Sequence, residues 1–199
     1  LTTSKDMRIK VTNVNDIAPV FTSDANFNAS ENQTSVGSST ATDVEGDAVT
    51  FSISGDALDI SSAGEITFAA APDFESNASY SATVTAFDGV NSTTQALTVS
   101  VLDINEAPVF TSSGTLSAAE NQTALGSVSV FDPELATLDF TLSGADVNSF
   151  SIPSISCTNS VLVTCGAVIS FKNAPNYESK DTYNVIVNVS DGTYTVDQE

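Results

Sequence analysis

Apolar and polar residues alternate along most of this chain. Val49, Phe51 and Ile53 fall on one face of an extended segment, as do Tyr80, Ala82, Val84 and Ala86. Leu97, Val99 and Val101 repeat the pattern over 96–101, and Tyr183, Val185, Val187 and Val189 repeat it again. Gly, Asn, Asp and Pro punctuate these runs, and no long segment keeps a 3.6-residue period. The pattern predicts an all-β chain with about seven short strands per roughly 90 residues, the density of an immunoglobulin-like sandwich.

The pattern occurs twice, in order. Asn15, Asp16, Ile17, Ala18, Pro19, Val20 and Phe21 return as Asn105, Glu106, Ala107, Pro108, Val109 and Phe110. Glu31-Asn32-Gln33-Thr34 returns as Glu120-Asn121-Gln122-Thr123, and Asp43 as Asp132. Pro72-Asp73-Phe74-Glu75 returns as Pro175-Asn176-Tyr177-Glu178, and Asp88-Gly89 as Asp191-Gly192. The period is about 90 residues. It lengthens by 14 between Gly144 and Pro175, and both cysteines fall in that stretch. An insertion with its own hairpin is the expected cause. The division reads as 15–104 for the first copy and 105–199 for the second. Residues 5–12 align with 95–102 and read as the last strand of a preceding repeat, with 1–14 as that strand and its linker. The second copy reaches Glu199 where its own last strand is expected to begin. Strand exchange between molecules, head to tail, follows as one reading of this frame; arbitrary boundaries are the other.

Composition narrows the class. The chain has 199 residues and a hydrophobic fraction of 41%, enough for two cores. No apolar stretch approaches the ~18 residues of a membrane span. Asp and Glu number 25 against 5 Lys and Arg, with no His, for a net charge of −20. Such a surface repels nucleic acid and anionic lipid. Cys157 and Cys165 are spaced for a local disulfide in an oxidising compartment, with two free thiols as the alternative.

The acids recur with the repeat. Glu31, Asp73 and Glu75 belong to the lower pole of the first sandwich. Asp132, Glu134 and Asp191 belong to the upper pole of the second, and Asp103, Asn105 and Glu106 run between them. Solvated turn acids are the plain alternative. No basic residue lies in these motifs, so converging carboxylates call for a counter-ion. Calcium takes six to eight oxygens in flexible geometry, whereas magnesium demands a strict octahedron and soft metals want His or Cys.

These motifs resemble those of cadherin repeats, especially cadherin-like repeats of bacterial surface proteins, over nearly the whole chain. Asp103-Ile104-Asn105-Glu106-Ala107-Pro108 is similar to the family's linker, Glu31-Asn32 to its early glutamate, Pro72-Asp73-Phe74-Glu75 to its middle motif, and Asp132-Pro133-Glu134 and Asp191 to its later acids. The resemblance implies two tandem Greek-key sandwiches with calcium clamped between consecutive repeats. Glu31, Asp73, Glu75 and Glu106 would hold ions nearer the first copy. Asn105, Asp132, Glu134 and Asp191 would hold the ion nearer the second. Asn13, Asn15, Asp16, Asp43, Glu45 and Asp88 would form the upper half of an earlier junction, and Glu120 and Glu178 would begin a later one. The linker is one residue shorter than the family's, Glu stands for Asp at 106 and 134, and Asn stands for Asp at 13 and 176.

The function implied is a calcium-rigidified segment of a cell-surface adhesin, outside the cell. Its partners are calcium, neighbouring repeats, and either further copies of itself or a surface polysaccharide. The competing reading is a carbohydrate- or protein-binding module, for which the insertion at 151–168 is the candidate contact. Catalysis is not expected: the acids repeat with the fold, whereas a catalytic carboxylate pair is singular and sits in a cleft.

Overall fold

The computed structural model describes residues 3–134, 137–158 and 163–199. The chain divides into two compact units, Leu1–Ile104 and Asn105–Glu199. Among the described residues no helix is long and apolar enough to cross a membrane.

The first unit contains β1 (Val20–Phe21), β2 (Asn26–Ser30), β3 (Ser35–Ser38), β4 (Ala41–Thr42), β5 (Thr50–Ile53), β6 (Leu58–Ile60), β7 (Glu65–Phe68), β8 (Ser79–Phe87) and β9 (Ser92–Leu102). One layer runs β2-β9-β8-β5; the other is built from β3-β7-β6 and the β1-β4 pair. The opening strand is shared between layers: β1 pairs antiparallel with β4, then β2 crosses to lie parallel to β9. The alternating runs become half-buried strands as expected. Val84 and Ala86 of β8 and Leu97, Val99 and Val101 of β9 face a core shared with Leu58, Ile66 and Phe68. Each such side chain contributes about 1.5–3 kcal/mol relative to exposure. Phe21 and Phe51 pack against this cluster.

The second unit repeats the plan with β10 (Val109–Phe110), β11 (Ala124–Asp132), β12 (Asp139–Ser143), β13 (Phe150–Thr158), β14 (Val163–Phe171), β15 (Ile186–Ser190) and β16 (Thr195–Gln198). Its layers run β10-β11-β14-β13 and β12-β15-β16. Val130, Phe140, Phe150, Ile169, Phe171 and Val189 form its core. Tyr183 sets its ring edge-on to both Phe150 and Phe171.

Several expectations change on folding. The inserted residues make no separate hairpin. They lengthen an existing one: β13 and β14 have nine residues each, where β6 and β7 have three and four. A hairpin grows by adding rungs to a ladder already in register, which needs no new core. The Cys157–Cys165 disulfide joins facing positions of that ladder, with Cys165 fully buried. Residues 159–162 lie outside the described residues. The last strand of the second unit, expected to begin at Glu199, begins four residues earlier: β16 pairs with β15 over four residues. Tyr183–Val185 forms no strand, although its alternation matches Tyr80–Ala82. In the first unit those positions pair with Leu97–Val99 of β9. Residues 5–12 also carry no strand and are exposed. Pro19 and Pro108 sit before β1 and β10, and both are fully buried.

Gly64 closes the β6–β7 hairpin with φ of 95°, and an added Cβ would lie 2.2 Å from the Ser39 carbonyl oxygen. A left-handed conformation costs a Cβ-bearing residue about 1–2 kcal/mol before any clash. The Gly64→Ala variant is therefore expected to destabilise the first unit by at least about 2 kcal/mol in denaturant unfolding followed by hydrogen exchange. Protection of amides in β14 and β15 should be unchanged.

Candidate functional site

Glu31 is a fully buried carboxylate at the lower pole of the first unit, 2% exposed. Each oxygen receives one backbone donor: Ile104 N–H reaches Oε1 at 2.7 Å and Phe74 N–H reaches Oε2 at 2.8 Å. Asn32 makes this possible. Its φ of 60° turns the chain sharply, a conformation Asn tolerates better than most residues, and its N–H bonds the Pro72 carbonyl at 3.0 Å. Asn121 repeats the turn with φ of 61° and a 2.9 Å bond to Pro175. This explains the recurrent Glu-Asn pair.

Around Glu31 the fold gathers Glu75 and Asp103, with one oxygen of each of the three within 4.8 Å of the others. Asp73 turns elsewhere: its two oxygens accept from Ser76 N and Oγ at 3.1 and 3.0 Å, closing the local turn.

The upper pole of the first unit holds a second set. Asp43, Glu45 and Asp47 bring carboxylate oxygens within 4.8 Å of one another. Asp47 was not singled out from the sequence, although its place two residues after Glu45 was a visible cue. Glu45 accepts from Asp16 N at 3.2 Å and Ile17 N at 3.1 Å. Asp43 Oδ1 accepts from Glu45 N at 2.8 Å, while its Oδ2 is buried without a partner. Asn15 bonds the Asp88 carbonyl at 3.4 Å and accepts from Asn91 Nδ2 at 2.8 Å. Burial pushes the Asp88 carboxyl up, but hydrogen bonds from Asn91 and Val90 N–H and from Asn15 hold it below its ordinary value. Asn13, outside any strand, is exposed.

The upper pole of the second unit is the most polarised. Asn105 Nδ2 donates to Asp191 Oδ2 at 2.9 Å, and Thr193 and Tyr194 N–H both donate to its Oδ1 at 2.6 Å. Burial raises the Asp191 carboxyl, and these donors more than offset it, leaving it below the usual range. Asp132 is less supported. It is 0% exposed, and among the described residues no hydrogen bond of normal geometry reaches either of its oxygens or either Glu134 oxygen. Burial first, then the Asp191 charge, push Asp132 up. Glu106 and Glu134 face each other with oxygens within 4.8 Å. Burial and then the Glu106 carboxyl push Glu134 up to about 7.

Carboxylates gathered at this density repel one another unless protons or a cation offset their charge. Only oxygen donors are present, which fits a hard divalent ion and calcium best. Glu120 and Glu178 are less organised. Both are exposed; Glu120 Oε2 accepts from Tyr177 N at 3.2 Å, and neither falls in an acidic triad among the described residues.

With the poles placed, the class is that of tandem immunoglobulin-like sandwiches with acidic ends. No family model matches the sequence, and no curated protein matches it. Solved structures do. The chain is similar to protocadherin gamma B2 extracellular cadherin domains 3–6, with a TM-score of 0.59, 20% identity, and coverage of 90% of this chain and 44% of that one. It is similar to mouse cadherin-23 EC22–24, with a TM-score of 0.52, 22% identity, and coverage of 90% and 61%. It is also similar to human protocadherin-24 EC1–2, with a TM-score of 0.51, 16% identity, and coverage of 92% of each chain. The chain thus spans roughly half the length of the first two. Its fold is that of cadherin extracellular repeats.

The raised Glu134 carboxyl has a consequence in ion-free protein. Its folded pKa, about 7, lies above its ordinary 4.5, so protonation favours the folded state. That contribution is complete below the unfolded value and lost as pH rises through the folded one. After screening at a partly exposed site, its size is on the order of 1–2 kcal/mol. In chelator, the second unit should melt lower at pH 8 than at pH 5.5, and Glu134→Gln should shrink the difference. An unchanged difference in the variant would show that Glu134 keeps an ordinary pKa.

Proposed function

We propose that this chain is a calcium-stiffened segment of an extracellular adhesive array, with calcium shared between the lower pole of the first unit and the upper pole of the second. The observation that carries the reading is the set of buried oxygens on Asp132 and Glu134 that no hydrogen bond of normal geometry reaches among the described residues, with Asp191 and Glu106 beside them and no basic residue in the linker 103–106. Chain connectivity supports a shared site. Ile104 N–H binds Glu31 of the lower pole, and the next residue, Asn105, binds Asp191 of the upper pole. Consecutive Cα atoms are about 3.8 Å apart.

In this reading Glu31, Asp73, Glu75, Asp103 and Glu106 supply oxygens to the ions nearer the first unit. Asn105, through its carbonyl, and Asp132, Glu134 and Asp191 supply the ion nearer the second. Asp73 joins by releasing Ser76. Asn15, Asp16, Asp43, Glu45 and Asp88 form an upper half-site of the first unit, and Glu120 and Glu178 a lower half-site of the second. A calcium ion would neutralise the repulsion that lifts Glu134 and Asp132 and would tie together residues from both units. Its mechanical role is stiffening: a charged linker that self-repels becomes a cross-braced one. Adhesion at the cell surface is the use such an array serves in this reading, and the acids act as ligands, with no catalytic part.

Calcium binding to the folded state alone raises stability by about 2.7 kcal/mol at a hundredfold excess over Kd. Calorimetric titration should therefore show saturable binding with a raised melting temperature. Asp132→Asn should weaken affinity at least tenfold, and magnesium should substitute poorly. A flat titration together with a melting temperature indifferent to chelator would overturn the reading.

A further inference from the structure

The lengthened hairpin gives the second unit a sheet edge unlike its counterpart in the first. β13 lies at the margin of the β10-β11-β14-β13 layer, and among the described residues it pairs with β14 alone. It has nine residues, and Pro153 to Thr158 are all exposed. Ile155 stands 44% exposed within that run. An edge strand presents a row of backbone N–H and carbonyl groups to any chain that lies beside it, and proteins blunt such edges with short strands, charges, proline or bulges. The first unit uses the first two devices. Its edge strand β6 has three residues with exposed Asp59 at the centre, and Asp56 and Glu65 flank it. In the second unit the blunting is confined to the start of β13, where the ladder shifts register between Ser151 and Ser154, around Pro153. From Ser154 to Thr158 the ladder is regular, and the Cys157–Cys165 disulfide pins it to β14. No charged side chain occurs from Val147 to Phe171, the longest uncharged stretch of a chain whose net charge is −20.

We propose that Ser154–Thr158 is a self-pairing edge: a second copy of this chain lays its own β13 antiparallel against it, about a two-fold axis at Ser156, so that the two layers join into one continuous sheet. Three observations select a second copy as the occupant. The first is charge. Two molecules that each carry −20 repel one another over most of their surfaces, and the uncharged hairpin is where they can approach. The second is self-complementarity. Ser156 is the midpoint of the regular run, so antiparallel pairing about it sets Ser156 opposite Ser156 of the second copy, Ser154 opposite Thr158 and Ile155 opposite Cys157. Hydroxyl meets hydroxyl and apolar meets apolar, the kinds of cross-strand pair that stabilise a sheet. The third is rigidity. The edge is already held in register by β14 and the disulfide, so pairing orders little that was free. Backbone bonds supply the attraction, as in other strand additions. The same patch serves on both molecules, so the contact is isologous and closes at two copies. It uses none of the acids at the poles.

The test is sedimentation of the full chain from about 1 to 500 μM in chelator, which separates this contact from calcium bridging. The weight-average mass should rise with concentration from the 20.5 kDa monomer and level off at twice that value. Ser156→Asp and Ser156→Lys each place like charges opposite one another across the two-fold axis. Each variant alone should dimerise at least tenfold more weakly than the wild type, with an unchanged melting temperature because Ser156 is exposed. Mixing the two variants should restore dimers, because Asp then faces Lys. A wild-type monomer at every concentration overturns the proposal, as does a mass that climbs past two copies. Dimers of either variant as tight as the wild type, or a mixture of the two that stays monomeric, overturn it equally.

Discussion

Glu31 holds three parts of the first unit together with one side chain. Its two oxygens take the Ile104 N–H at the exit of β9 and the Phe74 N–H in the turn before β8, while its backbone N–H bonds the Leu102 carbonyl at 3.1 Å. A buried carboxylate is costly unless its charge is matched by donors or a cation, and here the donors are the exit of β9 and the turn before β8. The acidic pole and the sandwich are therefore one construction. Glu75 and Asp103 are brought near Glu31 because the strands beneath them pack, and the strands end where Glu31 terminates them.

The second unit shows the same construction with one part altered. Glu120 follows the same left-handed turn at Asn121, but it is exposed and keeps only the Tyr177 donor. At the opposite pole Asp132 is buried and Asp191 is held by three donors.

Burial without donors distinguishes a ligand from a solvated turn acid. Asp73, Asp88 and Asp191 each receive hydrogen bonds from nearby N–H groups. Asp132 and Glu134 receive none of normal geometry, and their protons are held more tightly as a result. Ion-free carboxylates of this kind are electrostatic strain that calcium relieves without rebuilding the fold. Oxygen-only ligands in turns suit the variable coordination of that ion.

Much of this was legible in one dimension. Period-two alternation placed β5, β8 and β9, because side chains on opposite faces of a strand meet opposite environments. The ordered recurrence of Glu31-Asn32 and Asp43 in a second copy marked both poles, because a repeated fold returns its turns to equivalent places. Three things needed the folded chain. Asp73 sits in the same motif as Glu75, yet it bonds Ser76, since a turn carries it. The cysteine stretch was read as a separate hairpin, yet it extends β13 and β14, since adding rungs to a ladder requires no new core. Tyr183–Val185 carries a strand's alternation but forms none, since a ladder needs a partner at the right distance and alternation guarantees only a face. The sequence by itself determined which residues want burial and where the acids recur. Tertiary structure decided which acids are buried and which keep their donors, because both depend on neighbours far away along the chain.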